Sequence, residues 1–92
     1  MRVTVKLFGE FREAAGRERV ELELPPGTTC KEALRQLVAQ APSVGALLFV
    51  GDHLRDHLHV FLNGRNVAHL RGLDTPLADG DALTFFPPIG GG

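Results

Sequence analysis

Residues 19–42 read RVELELPPGTTCKEALRQLVAQAP, and the hydrophobic period changes halfway along. Val20, Leu22 and Leu24 alternate with charged residues, the period of two of a strand with one buried face. Pro25-Pro26-Gly27 stops that strand. Thr29-Cys30-Lys31-Glu32 then fits the capping box S/T-x-x-E, with Thr29 as the N-cap. Behind it, Cys30, Leu34, Leu37, Val38 and Ala41 fall on one helical stripe. Pro42 ends the helix after about 12 residues, or roughly 18 Å. A stripe of that kind needs a sheet to cover it.

Working backward, Val3, Val5 and Leu7 alternate with Arg2, Thr4 and Lys6, which predicts a half-buried strand over 2–8. Gly9 closes it, and Phe11–Gly16 predicts a turn or a single helical turn, so the first two strands form a hairpin with a tight connection. Working forward, Ala46–Val50 predicts a short helix or a buried turn, and Gly51–His57 a polar, exposed loop. Residues 58–62 predict a third strand. Asn63-Gly64 is a hairpin signal, with 65–69 pairing back as a short fourth strand. Leu77–Asp81 predicts a turn into the last strand, 82–86, which Pro87-Pro88 ends. The order β-β-α-β-β-β gives a two-layer α+β domain.

A chain of 92 residues makes one domain. Ten basic and eleven acidic side chains leave a net charge of −1, with no basic excess for phosphates, so direct nucleic-acid binding is not expected. One cysteine rules out a disulfide framework and a cysteine-based zinc site. No apolar run reaches about 18 residues, so no membrane span is expected. Met1–Lys6 has no signal-peptide core, and the expected compartment is the cytoplasm. So small a body points to a carrier, a modifier or a subunit rather than a self-sufficient enzyme.

The sequence ends Pro87-Pro88-Ile89-Gly90-Gly91-Gly92. Three terminal glycines occur by chance in roughly 1 chain in 3,000, which makes a plain frayed terminus the weaker reading. Glycines lack Cβ and pass through a channel that excludes other residues. Pro-Pro favours an extended exit. The pattern suits delivery of a C-terminal carboxylate into another protein's active site.

These residues resemble a known family: the small subunit of molybdopterin synthase (MoaD type), within the ubiquitin-like β-grasp sulfur carriers. The resemblance covers the whole chain. Its most specific part is Leu77-Ala78-Asp79-Gly80-Asp81 followed by Phe85-Phe86-Pro87-Pro88-Ile89-Gly90-Gly91-Gly92. Val5–Gly9 with Arg12–Gly16 resembles the family's first strand and turn, and Asn63-Gly64 its second hairpin. Gly90 before the terminal pair and the longer 42–58 region depart from the family's most compact members.

The resemblance implies a ubiquitin-like β-grasp domain over 1–88, one amphipathic helix on a mixed four- to five-stranded sheet, and a flexible C-terminal glycine tail over 89–92. It implies that the carboxylate of Gly92, with Gly90 and Gly91 as its slender neighbours, is adenylated by an E1-like enzyme. That enzyme uses ATP, and this chain holds no bound cofactor. A sulfur donor of cysteine desulfurase or rhodanese type then leaves a thiocarboxylate. The larger molybdopterin synthase subunit holds the tail while sulfur passes to a pyranopterin precursor, so this chain is a non-catalytic sulfur-donor subunit. Two alternatives stand beside this. One is a ubiquitin-like carrier or modifier serving transfer-RNA thiolation or protein conjugation. The other is an interaction module with an inert tail.

Strand parity predicts where a partner docks. If Val5 and Leu7 face the helix, Phe8 faces away; if Leu83 and Phe85 face inward, Phe86 faces outward; if Val60 and Leu62 face inward, Phe61 faces outward. In a β-grasp sheet the first, last and third strands are neighbours, so Phe8, Phe86 and Phe61 should share the open face at the root of the tail. The family also uses aromatics near the positions of Phe8 and Phe86 for docking. Arg65 is a candidate rim contact. On a helix, His53 and His57 would share a face, but no third ligand stands at firm spacing and no metal site is expected. Cys30, in the apolar stripe, is expected to be a buried, inert thiol.

Overall fold

The computed structural model describes residues 1–56 and 58–86. Strand β1 (Arg2–Lys6) pairs antiparallel with β2 (Arg19–Glu23), with Val3 opposite Leu22 and Val5 opposite Val20. These four side chains are fully buried, as the alternation predicts. The connection is not a tight turn. It carries α1 (Gly9–Ala15), ended by Gly16 in the left-handed conformation at φ 71°. Seven residues are too few for a helix to persist alone. Phe11 supplies the missing stability: it is buried, its ring meeting Phe85 edge-on at 4.7 Å. The Ser43 hydroxyl donates to the last-turn carbonyl of Ala14.

Helix α2 (Cys30–Gln40) has the predicted capping box: Thr29 Oγ1 accepts from the Glu32 N–H at 3.4 Å, and the Glu32 carboxylate accepts from the Thr29 N–H at 3.1 Å. Cys30, Leu34, Leu37 and Ala41 are buried, joined by Ala33, while Val38 is half-buried. The chain at residues 75–77 anchors the helix entry. The Cys30 N–H donates to Thr75 O at 3.0 Å, and the Leu77 N–H to Thr28 O at 2.9 Å.

Residues 42–56 are more structured than expected. A 3-10 turn (Pro42–Val44) leads into α3 (Gly45–Leu48), then into a separate hairpin of β3 (Phe49–Val50) and β4 (His53–Leu54). The polar loop predicted over 51–57 is thus partly strand. Phe49 and Leu54 pair directly and lean on the core, and the Arg35 guanidinium lies 5.6 Å over the Phe49 ring.

Strand β5 (His59–Leu62) turns through Asn63-Gly64 into β6 (Arg65–Asn66). Both turn residues have positive φ, 52° and 84°, as a two-residue type I′ hairpin requires. The fourth strand is shorter than the 65–69 expected. The Asn66 side chain accepts from the Ala68 N–H at 2.9 Å and caps a 3-10 turn (Val67–His69) instead. Strand β7 (Ala82–Phe86) runs parallel to β1 and antiparallel to β5. The five-stranded order is β2-β1-β7-β5-β6, with α2 across the face that buries Val3, Val5, Val60, Leu83 and Phe85. This is the mixed α+β sheet expected of a β-grasp, with two short helices and a second small hairpin added.

Candidate functional site: the aromatic face at the end of β7

The open face carries the predicted aromatics. Phe8 follows β1 in extended conformation, φ −130° and ψ 159°, so it keeps the outward parity of Thr4 and Lys6. Phe86 ends β7, and Phe61 lies on β5. Phe8 stacks on Phe86 at 5.6 Å between centroids, with 18° between planes, and Phe61 meets Phe86 edge-on at 5.7 Å. Phe86 is therefore the centre of the group. It remains 37% exposed and Phe8 45% exposed, while Phe61 is half-buried. Large apolar side chains left in water side by side are the usual mark of a contact surface.

The rings border a groove of about 620 Å³ that Lys6, Asn63, Gly64, Ala82 and Thr84 also line. Its floor is rigid. Thr84 Oγ1 donates to Lys6 O at 3.0 Å, linking β7 to β1. The Asn63 side chain donates to Asp81 Oδ1 at 2.9 Å and accepts from the Ala82 N–H at 2.9 Å, linking the hairpin turn to the start of β7. Asp81 Oδ2 accepts from the Ala78 N–H at 2.7 Å, so the predicted turn over 77–81 also holds this end of the groove. Lys6 and Thr84 follow from the same parity as the phenylalanines. Asn63 as a lining residue was not foreseen; the signal was its place in the turn beside β7.

The register does not bring Arg65 to this face. Arg65 pairs with Leu62, whose side chain is buried toward α2, while Phe61 pairs with Asn66. Paired residues project to the same side of a sheet, so Arg65 is exposed on the helix side of the edge strand and does not line the groove. Gly90, Gly91 and Gly92 lie outside the described residues, as do Pro87-Pro88 and His57. His53 is in β4, so it does not stand on the helix considered for it. Cys30 is buried at the start of α2; desolvation first, and the charge of Asp81 second, push its thiol up to about 11. That opposes thiolate formation and reactivity. No helix among the described residues is long and apolar enough to cross a membrane.

The fold and this face define a ubiquitin-like β-grasp carrier or modifier. The ThiS family model matches residues 5–92, and the chain belongs to that family. It is 35% identical over 92 residues, the full length of both chains, to small archaeal modifier protein 3 of Haloferax volcanii. Among solved structures, SAMP1 from the same organism superposes with a TM-score of 0.87 at 31% identity, all of both chains being covered. A putative molybdopterin converting factor, subunit 1, from Pyrococcus furiosus superposes with a TM-score of 0.72 at 29% identity, over 96% of this chain and 98% of that one.

Proposed function

We propose that this chain is a sulfur carrier whose Gly92 carboxylate is the reacting group, and that the Phe8–Phe86–Phe61 face docks the proteins that act on it. The observation that carries this reading is the exposed aromatic group at the end of β7, six residues before Gly92 (86 against 92). A carboxylate is a poor electrophile. In the proposed route an E1-like enzyme brings ATP, a Gly92 carboxylate oxygen attacks the α-phosphorus, and pyrophosphate leaves. A sulfur nucleophile from a cysteine desulfurase- or rhodanese-type donor then adds to the carbonyl carbon, and AMP leaves. That sulfur arrives as a persulfide, so the first product is an acyl disulfide; a second thiol then attacks the donor's inner sulfur, forms a disulfide with it and releases the thiocarboxylate on Gly92. This chain contributes the carboxylate, the narrow glycine approach and the docking face; its partners contribute the catalytic side chains, in the cytoplasm.

In the finer reading, the thiocarboxylate gives its sulfur to molybdopterin formation, with this chain as the small subunit of molybdopterin synthase beside a larger subunit. The similarity to the Pyrococcus furiosus protein supports it. The full-length similarity to archaeal modifier proteins favours a second reading, in which activated Gly92 is joined to amines of other proteins or serves transfer-RNA thiolation.

Incubation with an E1-like enzyme of the same cell, ATP and a sulfur donor tests the shared chemistry by intact mass. The expected result is replacement of one oxygen by sulfur in the full chain and none in a chain lacking Gly90, Gly91 and Gly92, with equal thermal melts. An unchanged mass, with the enzyme active on a known carrier, supports the inert-tail interaction module instead. Adducts of higher mass on other proteins would select the modifier reading.

A further inference from the structure

On the open face, β1 and β2 present three cross-strand pairs. Arg2 faces Glu23 and they form an ion pair at 2.7 Å. Thr4 faces Glu21, and its hydroxyl donates to the Glu21 carboxylate at 2.8 Å. The third pair is Lys6 opposite Arg19, two exposed cations. Like charges directly opposite destabilise a strand pair, so this position departs from its neighbours. It is also the pair nearest the aromatic group. A cleft of about 170 Å³ beside it is lined by Lys6, Leu7, Phe8, Arg12, Glu18 and Arg19. Arg12 and Glu18 lie 3.6 Å apart and offset each other. No ion pair to Lys6 or Arg19 forms among the described residues. Lys6 and Phe8 line both this cleft and the aromatic groove, so the two adjoin. The chain as a whole carries −1, so the cationic spot is local.

We propose that Lys6 and Arg19 form a seat for a carboxylate on the enzyme that activates the C-terminus. That carboxylate would stand beside the apolar surface covering Phe8 and Phe86. This inference rests on the carrier reading above. A partner's Asp or Glu lying between the two cations removes their mutual repulsion and takes charge-assisted hydrogen bonds from both. It fixes the orientation in which the aromatic face is covered, and attraction between opposite charges speeds encounter.

Lys6→Glu tests this, because the two roles of Lys6 then separate. The variant places a carboxylate opposite Arg19, as Glu23 stands opposite Arg2. The isolated domain should melt at the same or a higher temperature. The activating enzyme's KM for the chain should rise about tenfold, with kcat nearly unchanged. Arg19→Glu should behave alike, and added salt should raise the wild-type KM more than that of either variant. Unchanged KM in both variants, with the wild-type chain thiocarboxylated normally, overturns the seat and leaves the carrier reading standing. So does a wild-type KM independent of salt. If the wild-type chain itself is not activated by an enzyme active on a known carrier, both readings fall.

Discussion

Truncating Phe86 to alanine removes the ring that joins Phe8 to Phe61. Its stacked contact at 5.6 Å and its edge contact at 5.7 Å are both lost. Aromatic pairs contribute about 0.5–1.5 kcal/mol each, so the domain should lose about 1–3 kcal/mol. Unfolding entropy near the midpoint is about 2.1 cal/mol/K per residue, or about 190 cal/mol/K for this chain, so Tm should fall by about 5–15 °C. The fold should survive, because Phe86 belongs to the open face while Phe85 and Leu83 hold the core side of β7. Binding should suffer more. A central aromatic anchor contributes about 2 kcal/mol or more, which is about 30-fold in affinity. Steady-state adenylation with the chain as varied substrate reads this as a higher KM with kcat nearly unchanged. Val50→Ala is the control: Val50 is 58% exposed, more than Phe86, yet lies outside the groove, so its KM should stay within about twofold. A Phe86→Ala chain that folds and keeps KM within about threefold of wild type would refute the docking face. A fall in kcat alone would assign Phe86 to aiming the tail instead.

Thr29→Ala removes the hydroxyl that accepts from the Glu32 N–H, and a lost N-cap costs about 1 kcal/mol. Tm should fall by about 5 °C and return with Thr29→Ser; an unchanged melt would show that the box contributes nothing to the folded state. Cys30 gives stability a pH dependence. Its native pKa stands at about 11, against an ordinary value of 9.0. Between those values the unfolded chain releases the thiol proton while the native chain keeps it. The contribution is therefore whole below about pH 9 and falls as pH rises toward 11. Denaturant titrations at about pH 8 and about pH 10.5 should show wild type losing more stability than Cys30→Ala over that interval; parallel losses would contradict the burial of this thiol.

Features set by near neighbours in sequence could be read directly. The capping box joins residues three apart, the stripe of α2 follows from a period of 3.6, and Asn63-Gly64 adopts the positive φ values that its turn demands. The aromatic face was legible for a related reason: alternation along three strands, once they are neighbours, carries Phe8, Phe61 and Phe86 to one side. Arg65 shows the limit of that reasoning, because a two-residue turn places it opposite Leu62 and so on the other side.

Alternation and spacing by themselves determined the two strands of the first hairpin, the long helix between 30 and 40, the final strand and the outward parity of the phenylalanines. Other features were decided by tertiary structure alone. Helix α1 is too short to hold by propensity and exists because Phe11 meets Phe85, a residue far along the chain. The β3–β4 hairpin is held by Phe49 and Leu54 leaning on the core and by the Arg35 guanidinium reaching over from α2. The pairing of Lys6 with Arg19, and its place beside the aromatic groove, required the register of β1 on β2. In each case the deciding contact joins residues distant in sequence, and its energy appears only after the chain has closed upon itself.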